Sequence, residues 1–217
     1  MEVTNRSADN RVISFALLFS FFVSGCSALM YQMSWQRSLY GVIGVDIDSI
    51  TIIVSVFMLG IGFGGMLGGW LADRFPSSRL VIYAASEFGI AAYGLMTLWL
   101  LPWMEVVLGQ LSWGGAGLSA VASFTFLIVP TTLMGVTLPI LTMEFNERYG
   151  NVGVSVGTLY FFNTFGASVG AALVPFVLLP MMSLPHVIFL AVLGNVAVAL
   201  CGVVAGRNKV DISEVPA

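Results

Sequence analysis

Charged side chains are scarce in this sequence: 9% of its 217 residues are Asp, Glu, Lys or Arg, against about 25% in a soluble domain. So few charges cannot cover a water-facing surface, and much of the exterior must face lipid. Eight Lys and Arg stand against eleven Asp and Glu, for a formal charge of −3, and no basic patch exists to bind nucleic acid. Cysteine and histidine are nearly absent. Cys26 and Cys201 fall inside apolar runs and read as small buried hydrophobes, and His186 stands alone, so no metal site is expected. Also missing are a phosphate-cradling loop after a strand, a nucleophile with a histidine base, and paired catalytic carboxylates. The expectation is a chain that is not an enzyme and needs no cofactor.

What the chain has instead is length of apolar sequence. It is 58% hydrophobic, with a mean hydropathy of +0.97. The hydrophobic residues fall in six runs: about Val12 to Tyr31, Ile50 to Ala72, Leu80 to Leu101, Ala116 to Met143, Val154 to Leu179, and Pro185 to Ala205. Each is near or above the ~20 residues that a helix needs to cross a ~30 Å hydrocarbon core. The first is too long for the ~7–15-residue core of a signal peptide, so it reads as a retained span. A closed barrel would need short alternating strands, and these runs are continuous. The fold class is therefore all-α, a membrane protein of six transmembrane helices. Residues 12–206 form one membrane domain, between tails at 1–11 and 207–217 that are too short to fold alone.

With the N-terminus cytoplasmic, Arg6, Arg11, Arg74, Arg79, Arg148, Arg207 and Lys209 all fall inside, seven of the eight basic residues, and Arg37 alone falls outside. The positive-inside rule then puts both termini in the cytoplasm. Trp35, Trp70, Trp99 and Trp103 lie near predicted helix ends, where interfacial anchors belong.

Glycine is concentrated where helices would touch. Gly60, Gly64 and Gly68 are spaced by four in the second run, and Gly166 and Gly170 repeat the spacing in the fifth. Such ridges let a second backbone approach closely, either within the monomer or in a homodimer. Phe63 and Gly64 align with Phe165 and Gly166, and Gly68 with Gly170. The second and fifth helices run in opposite directions, so the likeness points to a 3+3 inverted repeat, unless it is only what two glycine-rich packing helices share. The turn "GGWLADRFPSSR" resembles the cytoplasmic signature between helices 2 and 3 of major facilitator transporters, which makes Asp73 and Arg74 a candidate cytoplasmic latch. It departs from that signature at Phe75 and Pro76, where the family prefers glycine and basic residues.

Few polar groups lie within the runs, and each needs a reason. Glu87 is roughly 10–12 Å past the start of the third helix at 1.5 Å per residue, and a charge there costs several kcal/mol unless paired, hydrated or protonated. It is a candidate cavity residue, with Asn163 at similar depth on the fifth helix as a candidate partner. Serine or threonine on a neighbouring helix is the alternative. Thr131, Thr132 and Thr137 flank Pro130 and Pro139, and their hydroxyls can satisfy carbonyls that the prolines free. Glu144, Glu147 and Arg148 read as a solvated rim. At the other end of the first helix, Tyr31, Gln32 and Arg37 break the apolar pattern beside Trp35, as a candidate cavity or gate or as an interfacial belt.

In the same order along the chain, "SGCSALMYQMSWQRSLYGVIG", "FMLGIGFGGMLGGWLADRFP", Glu87, "LMGVTLPIL" and "VGTLYFFNTFGASVGAALVPFVLLP" resemble the integral-membrane part of fused spermidine-synthase-like proteins. There, a transporter-like helical domain precedes a soluble aminopropyltransferase-like one. The resemblance implies a glycine-rich site for decarboxylated S-adenosylmethionine and an aspartate for the amine. These 217 residues contain neither, so no catalytic residue carries over. The resemblance leaves three readings open. One is a transporter-like inner-membrane protein, half of a major facilitator bundle, that moves or channels a polyamine or related metabolite, with a second copy as partner. Another is a non-transporting membrane subunit or anchor for a separately encoded spermidine-synthase-like enzyme. The third is a structural remnant.

Overall fold

A computed structural model describes residues 2–43, 47–110 and 115–213. The side chains of Arg6, Arg11 and Lys209, which enter the positive-inside count, lie outside the described set, as do residues 214–217. The chain forms α1 (Glu2–Ile43), α2 (Ile47–Arg74), α3 (Arg79–Gln110), α4 (Gly115–Tyr149), α5 (Val152–Leu173) and α6 (Leu184–Ser213). A π-helical turn, Val174–Leu178, and a short helical turn, Leu179–Met181, carry α5 onward. All six contain a segment long and apolar enough to span a membrane. Among the described residues there is no strand, as hydrocarbon requires of a backbone that must satisfy its own hydrogen bonds. The two ends of the helix bundle differ in charge. Arg74, Arg79, Arg148 and Arg207 mark a basic end, and the 98–104 and 182–188 segments mark the far end.

Local chemistry explains the sharp turns. At the basic end, Pro76 opens a 3₁₀ turn, Pro76–Ser78, between α2 and α3. Gly150, with φ of 64°, ends α4 in a left-handed conformation, and Asn151 then caps α5 by accepting the Val154 N–H at 3.1 Å. In the following turn Pro175 and Pro180 each lack the N–H that a regular helix needs, and the backbone passes through the π turn there.

Helix contacts run in the order α2–α4–α3–α6–α1–α5, and α5 also touches α4. The glycine ridges make the two closest approaches. A Cβ at Gly60 would fall on the Thr131 side chain, at Gly64 on the Thr132 carbonyl, and at Gly68 on Val136. A Cβ at Gly166 would fall on the Phe22 carbonyl and at Gly170 on the Cys26 carbonyl. Both ridges are therefore occupied inside the monomer, α2 on α4 and α5 on α1. In lipid, where apolar surface gives helices no reason to associate, such backbone-to-backbone packing supplies the attraction.

The apolar core divides in two. One cluster, toward the far end, gathers Tyr31, Trp35, Ile90, Phe126, Val187 and Val192. The other, toward the basic end, gathers Leu17, Phe21, Tyr83, Ile140, Phe145 and Val198. Between them, at the depth of Ser24, Glu87 and Asn195, the bundle interior is polar.

Candidate functional site

The polar layer is built by three helices. On α1 the buried residues Ser20, Ser24, Ser27, Tyr31 and Ser34 alternate spacings of four and three, which places them on one face. That face lies parallel to α3. Ser20 Oγ meets Tyr83 Oη at 3.3 Å, Ser24 Oγ donates to Glu87 Oε1 at 2.6 Å, and Trp35 Nε1 donates to Thr97 Oγ1 at 3.2 Å, across 63, 63 and 62 residues. The near-constant offset means that two parallel helices are zipped in register by side chains.

Glu87 is fully buried. Its second oxygen, Oε2, accepts from Asn195 Nδ2 of α6 at 2.5 Å. The carboxylate thus holds one neutral donor per oxygen, and no basic side chain is hydrogen-bonded to it. Two neutral hydrogen bonds offset only part of the cost of an anion at this depth, so the position calls for a proton or a cation. Other buried polar atoms lack partners: Asn195 Oδ1, and the hydroxyls of Tyr31 and Ser34 on α1 and of Ser123 on α4.

Tyr31 and Trp35, both fully buried, stack with ring centroids 4.9 Å apart. Tyr93 and Phe126 present edges to Trp35 at 6.0 and 5.8 Å. Gly94 makes room for this arrangement, since a Cβ there would lie 2.6 Å from the Tyr31 ring. Trp35 is therefore not an interfacial anchor. The lipid-facing positions hold Trp70, Trp99 and Trp103, which are exposed. Beyond Trp35, at the far end, a cleft of about 130 Å³ reaches Thr97 from between α1, α3 and α6. A larger and almost wholly apolar groove, about 580 Å³, runs between α2 and α4 past Thr51, Ser55, Leu59 and Phe124.

The other expected residues lie elsewhere. Asn163 packs against Gly25 of α1, while the asparagine that reaches Glu87 is Asn195. Gln32 is half-buried and Arg37 exposed, and neither is bonded to Glu87. Asp73 and Arg74 are both exposed. The ion pair that ties helices together at the basic end is instead Arg79 of α3 with Glu147 of α4, and Arg79 Nε also donates to the Ala72 carbonyl at the end of α2, at 2.9 Å. Glu144 is buried rather than solvated, and pairs with Arg148 at 3.0 Å. The threonines of α4 bond carbonyls of Leu127, Ile128 and Met134. The carbonyl that Pro130 deprives of its helical N–H is that of Phe126, four residues back, and Tyr93 Oη donates to it at 2.6 Å. Among the described residues no three His, Cys, Asp or Glu gather as a metal site would require.

A buried carboxylate with two neutral donors and unpartnered polar atoms in the same layer is suited to holding a proton or a positive charge. No protein-family profile and no solved structure matches the chain. Over 159 residues it is 25% identical to a polyamine aminopropyltransferase of Oceanobacillus iheyensis, a similarity that covers 73% of this chain but spans only 29% of that protein's length.

Proposed function

We propose that this chain is a transporter-like module of the cell membrane, with both termini cytoplasmic, that binds and moves a cationic amine of the polyamine class, with Glu87 as its counter-charge. The chain forms and breaks no covalent bonds in this role. The observation that carries the reading is the buried Glu87 carboxylate, held by Ser24 and Asn195 and lacking a basic partner. A relative named for polyamine chemistry supports the amine class.

A 3+3 inverted repeat gives this site its position. Gly64 meets the Thr132 carbonyl as Gly166 meets that of Phe22, Gly68 meets Val136 as Gly170 meets Cys26, and Gly135 meets the Ile61 carbonyl as Gly25 meets that of Asn163. Within each pair of contacts the α2 and α5 residues differ by 102 and the α4 and α1 residues by 110. The Glu87–Asn195 bond then joins the third helix of one half to the third of the other. Inverted-repeat transporters place their binding sites at that interface, near the bilayer midplane.

A second reading has its own support. Because the similarity covers most of this chain and less than a third of the relative, the chain also fits a non-transporting subunit that holds amine for a separate synthase-like enzyme. Uptake of radiolabelled 1,4-diaminobutane and spermidine into proteoliposomes, alongside equilibrium binding in detergent, separates the two. Transport predicts flux that Glu87→Gln abolishes. Binding without flux favours the subunit, and full flux in Glu87→Gln removes Glu87 from the mechanism.

A further inference from the structure

Glu87 is sealed from both ends of the bundle, so any amine that reaches it needs a way in, and one side is better prepared than the other. On the basic side lie Tyr83, Phe21 and Leu17, packed into an apolar cluster. On the far side the cleft lined by Ser38, Thr97, Leu101, Pro102, Pro185 and Ile188 descends to Thr97, whose Oγ1 accepts the Trp35 indole N–H. One turn deeper on α1 Tyr31 stacks on Trp35, and the Tyr31 and Ser34 hydroxyls are buried without partners, as is the Oδ1 of Asn195 at the depth of Glu87. Unpartnered polar atoms therefore lie at depths between the floor of the cleft and the carboxylate, and the Trp35 ring is hydrogen-bonded to Thr97 at that floor.

We propose that Trp35, latched by Thr97, is the gate between the far-end cleft and the Glu87 site, and that the track behind it accepts a primary ammonium. This inference rests on the amine reading above and adds the route and the form of the ligand. A primary ammonium carries three donors and no acceptor, which complements a track of spare acceptors ending in a carboxylate. A quaternary ammonium has the charge without the donors, and an alcohol brings an acceptor of its own without the charge. The latch is a single hydrogen bond from a ring already wedged by Tyr31, Tyr93 and Phe126. Losing it shifts an opening equilibrium by up to about tenfold.

The test reads access rather than transport. In full-length protein with Cys26→Ala and Cys201→Ala, reconstituted in vesicles, Ser34→Cys reports the space behind the gate to a membrane-impermeant thiol reagent added at the far-end side. Labelling is expected to be slow with Trp35 and Thr97 intact, about tenfold faster in Thr97→Val, which removes the latch at nearly constant volume, and at least as fast in Trp35→Phe, which removes the latch and part of the ring. In the opened variants 1,4-diaminobutane should slow labelling, while tetramethylammonium and 1-butanol should not. Unchanged labelling in both latch variants overturns the gate, and equal protection by tetramethylammonium overturns the primary-ammonium track. The outcomes are separable from those of the parent reading. Flux lost in Glu87→Gln with unchanged labelling sinks only the gate, whereas latch-dependent labelling with full flux in Glu87→Gln sinks only the counter-charge.

Discussion

Asn195→Leu is the substitution that most directly probes the polar layer. Asn195 contributes one short bond to the Glu87 carboxylate, and both residues are buried, so water cannot replace what is lost. A hydrogen bond to a charged group is worth about 1.5–3 kcal/mol. For a chain of 150–250 residues each kcal/mol moves Tm by about 2–4 °C, so the variant should melt about 3–12 °C lower. The same substitution in a Glu87→Gln background removes only a neutral bond worth about 0.5–1.5 kcal/mol, because the neutral amide at position 87 puts no unpaired charge in the core. The two changes should therefore couple by about 1–2 kcal/mol in a double-mutant cycle. Thermal unfolding of the four proteins in detergent, followed by intrinsic fluorescence, measures this. Additivity to within about 0.5 kcal/mol would show that Asn195 does not hold the Glu87 carboxylate, and the argument for a charge-bearing site at this layer would go with it.

Two further outcomes follow from the helix contacts. Gly64→Leu and Gly166→Leu force a side chain into a neighbouring carbonyl, so each should cost more than the ~1–3 kcal/mol of ordinary overpacking and yield aggregated protein on gel filtration. Gly157→Leu, which meets open space, should remain monodisperse, and equal behaviour of the three would refute the assigned interfaces. Tyr93→Phe strips the donor from the Phe126 carbonyl and should lower stability by about 1–3 kcal/mol. Pro130→Ala restores an N–H to that carbonyl, so in its presence Tyr93→Phe should be nearly neutral, and an undiminished Tm loss would disprove the pairing.

Six spans and a buried acid were legible because both depend on position along the helix axis, which residue counting supplies. Azimuth is another matter. Asn163 and Asn195 both lie within spanning segments, yet one faces Gly25 across the α1–α5 contact and the other faces Glu87. Depth alone cannot choose between them. One signal was available: Ser20, Ser24, Ser27, Tyr31 and Ser34 fall at alternating spacings of four and three, a polar face that no lipid-exposed helix would present. With Tyr83 and Glu87 one turn apart on α3, that face could have been paired with its partner. Trp35 was misplaced for a similar reason. Proximity to a helix end suggests an interfacial ring, but α1 continues to Ile43, which leaves Trp35 two turns inside and surrounded by other aromatics.

The proposed repeat explains why only α2 and α5 looked alike. At two of the three matched contacts α2 and α5 supply the glycine and α4 and α1 a backbone carbonyl, and only at Gly135 and Gly25 are the roles exchanged. The glycine is constrained because any side chain would collide. The residue that supplies the carbonyl is not, since every residue type carries one, so Phe22 can stand where the other half has Thr132 and Cys26 where it has Val136. Similarity survives on the glycine side of the interface and is lost on the carbonyl side, although both sides are equally necessary to the packing. At the remaining pair of helices, α3 and α6, the demand is different. Two residues that meet across a twofold cannot both be carboxylates without repulsion, nor both apolar if a charge is to be held there. A donor on one half and an acceptor on the other, Asn195 to Glu87, is the asymmetric solution, and it erases sequence likeness at the very point where the proposed site lies.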